Sequence, residues 1–340
     1  MLKRLSVLFT FLMMVSVAVA FAIWYLPLTN KAPVQIDIQS GQNLTQVAQQ
    51  WQADGWLPSA LLLRLQARIY GSQLKVGEYI IPEGLNSAQL LPYLKSATPV
   101  FHRITLVEGN NLQQALATLA NEPRLQQDVQ PLTAEQVSLV LAIEGSAEGW
   151  LYPDTYLYNK GYKVSELLQQ AHQRMQQELE QSWQQRAQNL PYKTPYEALI
   201  MASIVEKETA VESERPIIAG VFVRRLQKRM RLETDPTVIY GLGEDFTGNL
   251  RRKHLLDSSN TWNTYRNFGL PPTPISMVGK EAIEAALHPA EGDELFFVAK
   301  GDGSHVFSAT LEAHNKAVHE YQIRNRTQNY RSTPLSTGSQ

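Results

Sequence analysis

The stretch SIVEKETAVESE, Ser203 to Glu214, sets four glutamates and one lysine within twelve residues, directly after an apolar run. On a helix, the residues three, four and seven positions before Glu208 are Val205, Ile204 and Met201, so this carboxylate continues an apolar face. Glu206 lies about 200° away around the axis. A carboxyl held among apolar neighbours loses solvation of its charged form, so its pKa rises and it keeps a proton near neutral pH. Such a group is a general acid of the kind that protonates the leaving oxygen of a sugar–sugar bond while positive charge develops at the anomeric carbon. Glutamate and lysine at a helix end are equally the ordinary residues of a solvated face, and local spacing alone leaves both readings open.

The elements that must position this stretch are legible on either side of it. Pro195 opens a helix over Tyr196 to about Thr209, and a further helix near Ile217–Met230 shows Phe222, Leu226 and Met230 at i, i+4 spacing. Upstream, Val164 to Arg186 reads as a glutamine-rich helix with the stripe Leu168, Ala171, Met175, Leu179 and Trp183. Downstream, Leu295–Ala299 and Val306–Ser308 flank Gly301-Asp302-Gly303 as a hairpin, and Leu311–Ile323 closes as a helix. Nearer the N-terminus, Ile36-Asp37-Ile38, then Gly41-Gln42-Asn43, then Leu44, Val47, Ala48 and Trp51 form a strand–turn–helix pattern. It returns 68 positions later as Ile104-Thr105-Leu106, Gly109-Asn110-Asn111 and Leu112, Ala115, Leu116 and Leu119. Ser59–Tyr70 and Leu85–Leu94 read as helices around a short strand, Glu78–Ile81.

Composition narrows the partners. Lys3 and Arg4 are the only charges before residue 31, and the remainder carries 29 basic and 32 acidic residues, so no basic field for nucleic acid exists. With no cysteine, disulfides, thiolate nucleophiles and cysteine-based zinc sites are all excluded. No HExxH occurs, so neither a metal nor a cofactor is expected, and His288, His305 and His314 read as structural histidines. Leu5 to Asn30 carries no charge and exceeds the roughly 20 apolar residues that a spanning helix requires. Lys3 and Arg4 before it, and Trp24 and Tyr25 at its far end, orient it as an anchor over 5–28 with the bulk of the chain outside the cytoplasm. Ala18-Val19-Ala20 and Ala20-Phe21-Ala22 also fit a signal-peptide cleavage site, and both readings export the chain.

Five motifs occur in order: EGWLYPDTY (Glu148–Tyr156), SIVEKETAVESE, TDPTVIYG (Thr234–Gly241), NTY (Asn263–Tyr265) and GLPPTPI (Gly269–Ile275). Together with the N-terminal apolar run, they closely resemble the MltG/YceG family of endolytic murein transglycosylases along essentially the whole chain. Carried over by position, the family's catalytic glutamate, the second of its EKET run, is Glu208, the residue that the spacing also selects. The resemblance implies an α+β fold: an anchor in residues 1–30, a LysM-like subdomain in 31–100, a catalytic domain in 101–325 and a disordered polar tail in 326–340. It also implies non-hydrolytic cleavage of the MurNAc-β-1,4-GlcNAc bond to 1,6-anhydro-MurNAc ends, with Glu208 acting first as acid and then as base.

Nascent glycan strands, the inner membrane and cell-wall synthases are the partners so implied, with the bulk of the chain periplasmic and a role in ending strand elongation. Trp150, Tyr152, Tyr156, Asp235, Thr237, Tyr240, Asn263, Thr264 and Tyr265 are the expected glycan-binding residues, supplying flat apolar faces and hydrogen-bonding groups. Glu206, Glu212, Glu214 and Asp235 stay open as second carboxylates of a hydrolytic muramidase. A non-catalytic, membrane-anchored glycan-binding scaffold is the alternative outside enzymes. Two positions depart from the family pattern: Thr273 replaces a usual glycine, which raises the question of a positive φ there, and Arg224 replaces a common asparagine. Arg224, Arg225, Lys228, Arg229 and Arg231 are expected on a solvated helix face, open to acidic stem peptides or lipid headgroups.

Overall fold

The computed structural model describes residues 2–39 and 41–324, apart from the side chains of 2–7 and 20. The tail expected to be disordered over 326–340 lies outside the described residues. Two compact units divide the chain: residues 1–103, 123–126 and 157–163 form one, and 104–122, 127–156 and 164–340 the other.

The first unit contains α1 (Leu2–Trp24), β1 (Val34–Ile38), α2 (Leu44–Ala53), α3 (Ala60–Tyr70), β2 (Gly77–Ile81) and α4 (Ser87–Ser96). Antiparallel pairing sets Val34 opposite Ile81 and Ile36 opposite Tyr79, and the helices close over these strands with Val47, Trp51, Leu63, Leu90 and Leu94 buried. Asn43 begins α2 because its side chain accepts from the Gln46 amide while Gln46 accepts in return from the Asn43 amide. Leu44, Val47, Ala48 and Trp51 are the buried positions of α2, the four that the helical spacing selects.

Among the described residues no helix is long and apolar enough to cross a membrane. The expected anchor over 5–28 includes residues 5–7 and 20, whose side chains are outside the description. Its far boundary differs as well, because α1 stops at Trp24 and Leu28 is buried in the core of the first unit.

β3 (Phe101–Thr105) pairs with β4 (Thr155–Asn159), and the chain passes from one unit to the other within each of these strands. The second unit adds α5 (Leu112–Ala120), α6 (Ala134–Val140), α7 (Val164–Gln184), α8 (Pro195–Glu208), α9 (Arg215–Gln227), α10 (Asp235–Leu242), α11 (Arg252–Leu255) and α12 (Lys280–Leu287). β5 (Phe296–Ala299), β6 (His305–Ser308) and α13 (Leu311–Val318) follow, and a π-helical segment, His319–Arg324, continues α13. Asn111 caps α5 with Gln114 as Asn43 caps α2, and the predicted Leu112, Ala115, Leu116 and Leu119 are again the buried positions.

α8 is the axle of this unit. Every residue from Ala198 to Val205 is buried, enclosed by α7, α9, α10 and α12, so α8 has no solvated face for most of its length. Thr194 caps it and Pro195 occupies its first turn, where a missing amide hydrogen is harmless.

α9 ends before the stripe expected to reach Met230, and Arg229 takes a left-handed φ of 54°. The solvated basic face expected there is only partly realised. Arg225 is buried, donating to the Leu295, Arg231 and Leu232 carbonyls, and Arg224 reaches the Ala290 and Glu294 carbonyls. These guanidiniums fasten α9 to the loop before β5; of the cluster, Lys228 and Arg229 are exposed.

Candidate active site

Glu208 is the last residue of α8, because Thr209 leaves the helix at φ −145°, ψ 139°. A carboxylate at a helix C-terminus faces the negative end of the macrodipole, so this position favours the protonated form. Burial pushes the Glu208 carboxyl up to about 7; a hydrogen bond donated by the Thr234 hydroxyl to Oε1 pulls it down, and the negative charge of Asp235 pushes it up.

The carboxyl opens to a cleft of ≈ 580 Å³ lined by Asn111, Gln113, Lys207, Asp235, Tyr240, Ile275 and His305, among others. A second cavity of ≈ 370 Å³ shares Glu208, Asp235 and His305 with the first and adds Tyr265, Phe296 and Phe297. Glu208 therefore stands where two hollows meet, with polar groups and aromatic faces on its walls.

Thr234 holds its hydroxyl on Glu208 because three threonines brace one another. The Thr234 amide donates to Thr264 Oγ1 at 3.0 Å, Thr237 Oγ1 donates to the Thr234 carbonyl at 2.7 Å, and the Thr237 and Thr264 hydroxyls meet at 2.9 Å. Thr237 and Thr264 are fully buried, so both act behind the cleft wall rather than on it. Asn263 has the same character: its Nδ2 donates to the carbonyls of His254, Leu255 and Asp257, and its Oδ1 accepts the Tyr265 amide. That loop aims the Tyr265 hydroxyl at Asp235 Oδ1, 2.7 Å away. Gly241 lets the loop approach α10, because a Cβ there would sit 2.0 Å from Asn260 Oδ1.

The structure thus gathers Glu208, Asp235, Tyr240 and Tyr265 around the hollows and places Thr237, Asn263 and Thr264 immediately behind them. It takes three expected aromatics elsewhere. Tyr152 and Tyr156 are core residues, the Tyr156 hydroxyl donating to the Tyr152 carbonyl at 2.6 Å. Trp150 stacks on Tyr196 with ring centroids 5.6 Å apart and lines a shallow depression beside α7, away from the Glu208 cleft. What EGWLYPDTY delivers toward the site is Glu148, which accepts the Leu112 amide on both oxygens and the Tyr240 hydroxyl at 3.1 Å. Gly149 of the same motif packs on Pro274, so closely that a Cβ would lie 2.6 Å from it.

The other glutamates of the opening stretch have distinct places. Glu206 is turned from the cleft, accepting the Gly279 amide at 3.1 Å and facing Arg215 at 3.6 Å. Glu212 is exposed, and Glu214 is buried against His305. Lys207, from the same turn, donates to the Gly109 carbonyl at 2.9 Å on the cleft rim. Spacing along one helix missed Thr234 and His305, which are 26 and 97 residues beyond Glu208. Among the described residues no three His, Asp or Glu side chains gather to hold a metal ion.

The YceG-like family model matches residues 36–320. This chain belongs to the YceG-like family. It is 31% identical over 311 residues to a Bacillus subtilis protein named endolytic murein transglycosylase, covering 86% of each chain. A Streptococcus pneumoniae protein of the same name is 26% identical, and there the match covers 86% of this chain but 59% of the longer relative. The crystal structure of a YceG-like protein of Listeria monocytogenes superposes with a TM-score of 0.53 at 28% identity, covering 84% of this chain and 99% of that one.

Thr273, where the family pattern has glycine, is not among the residues with positive φ. Its hydroxyl accepts the Trp262 indole N–H at 3.0 Å and donates to the Pro274 carbonyl, so this YceG-like chain fills the position with a hydrogen-bonding side chain.

Proposed function

We propose that this protein is a peptidoglycan lytic transglycosylase that cuts glycan strands internally at the cleft around Glu208. The observation that carries the reading is one carboxyl, raised to about 7, at the meeting point of two hollows. The names of the Bacillus and Streptococcus relatives supply the substrate class. Glu208 protonates the departing O4 of GlcNAc as the C1–O4 bond of MurNAc breaks. The C6 hydroxyl of the same MurNAc closes on C1, its proton returns to the Glu208 carboxylate, and a 1,6-anhydro end results. Glu206 and Glu214 are engaged by other groups, which argues against either as the second carboxylate of a hydrolase.

Product mass tests the reaction. Purified glycan strands cut by the full-length protein are expected to yield new ends one water lighter than reducing ends; reducing ends alone would refute the transglycosylase assignment.

The same reading assigns the first unit, LysM-like, to holding the strand, and α1 to anchoring the protein in the inner membrane with its bulk periplasmic. In support of the anchor, α1 has 23 residues, about 34 Å at 1.5 Å each. Phe9, Phe11, Met14, Val17 and Phe21 on it are exposed apolar side chains. Alkaline extraction of membranes checks the anchor, which is abandoned if the full-length protein leaves with the peripheral fraction. Synthases as partners, and termination of strand elongation as the outcome, follow from this placement. Glycan chains of unchanged length in cells lacking the protein would remove the terminator role.

A further inference from the structure

His305 opens β6 with 5% of its side chain exposed, its ring edge-on to Phe297 at 5.4 Å. Glu214 grips it twice, through the backbone amide at 2.8 Å and through Nδ1 at 2.7 Å. The oxygen of Glu214 that meets Nδ1 also accepts the hydroxyl of Thr209, the residue after Glu208. A carboxylate offers only acceptors, so Nδ1 carries the hydrogen, and in the neutral tautomer so selected Nε2 is the acceptor. Nε2 has no hydrogen-bond partner among the described residues, and it is not a sealed orphan, because His305 lines both hollows beside Glu208. A buried imidazole gripped at one nitrogen by a carboxylate, with the other nitrogen open to a cleft, is the arrangement of an oriented general base.

We propose that His305 is that base: its Nε2 takes the proton of the MurNAc C6 hydroxyl, with Glu214 as the positioning residue. This rests on the transglycosylase reading and refines its second proton step. O6 bonds to C1 as the C1–O4 bond breaks, O4 receives the Glu208 proton, and Nε2 receives the O6 proton. The imidazolium then returns its proton to the Glu208 carboxylate, which restores both groups and consumes no water.

The test is His305→Ala in the full chain acting on purified glycan strands, with folding followed by Tm and glycan binding by co-sedimentation. The expected result is kcat lower by about 10²-fold or more, binding retained, and activity recovered at least tenfold by added imidazole. The residual product is expected to contain a smaller share of anhydro ends. A kcat within about threefold of wild type overturns the proposal, as does a loss that imidazole does not recover. Should that variant not fold, Glu214→Gln decides: about a tenfold fall in kcat with fewer anhydro ends is expected, and an unchanged rate and product ratio overturn it. The wild-type product mass is a separate reading, so anhydro ends there with no effect at His305 would sink this inference alone.

Discussion

Two carboxyls in the second unit, the half-buried Glu208 and the buried Glu148, are both raised to about 7 by loss of solvation, yet they are built for opposite ends. Glu148 is 3% exposed and satisfied on both oxygens by the Leu112 amide and the Tyr240 hydroxyl. Among the described residues Glu208 has one donor, the Thr234 hydroxyl, and otherwise faces the hollows. The two share a proton affinity and differ in vacancy. A raised pKa marks a carboxyl taken from water; only an unfilled hydrogen-bonding position beside a cavity makes it available to a substrate. Glu148 instead ties the start of α5 to α10, and so joins the polar rim residues Asn111 and Gln113 to Tyr240 on one wall.

The sharpest way to break this comparison is to remove each proton in turn. Glu208→Gln is expected to lower strand cleavage by about 10³-fold with Tm unchanged or raised, since a neutral amide replaces a group that resists ionisation. Cleavage near the wild-type rate would end the assignment of Glu208. Glu148→Ala is expected to leave the Leu112 amide and the Tyr240 hydroxyl unpaired and to lower stability by about 1–3 kcal/mol. Chemical denaturation measures that change, and catalysis per folded molecule should stay within about tenfold; the reverse pattern would make Glu148 the reacting group.

Thr234→Val tests the single bond on Glu208. Because that bond favours the charged form, its loss should raise the Glu208 pKa, so the alkaline limb of the kcat/KM profile, near pH 7 in the wild type, moves to higher pH. A limb moving the other way would show that Thr234 does not act on this proton. The smallest effect concerns stability and pH. Both folded-state values lie above the ordinary carboxyl value of 4.5, so the folded state binds more protons than the unfolded one between pH 4.5 and about 7. Stability is then greatest below 4.5 as far as these groups are concerned, and it falls as pH rises through that window. Glu148→Gln should flatten part of that slope in Tm against pH, and an unaltered slope would count against the buried proton at Glu148.

Much of the second unit was legible because its elements repeat simple periods. The stripe on α7, the proline of α8 and the turn between β5 and β6 are all local features, decided within a few residues. Placement of single side chains was less legible. Tyr152 and Tyr156 sit in the same motif as Glu148, and nothing in their types says that the tyrosines enter the core while the glutamate reaches the back of the cleft. The basic cluster misled for a similar reason, since a buried arginine and a solvated one look alike until the carbonyls at 231, 232 and 295 are brought to Arg225.

By itself the sequence determined that Glu208 ends an apolar helix, because side-chain direction on a helix follows from spacing, and which residues of α2 and α5 turn to the core. Tertiary structure alone decided which hydroxyl meets Glu208, which carboxyl is filled and which histidine stands beside Glu208. Those contacts join residues tens of positions apart in the chain. Their geometry is set by how α8, α10 and the β5–β6 hairpin pack, and packing is a property of the whole core rather than of any local run.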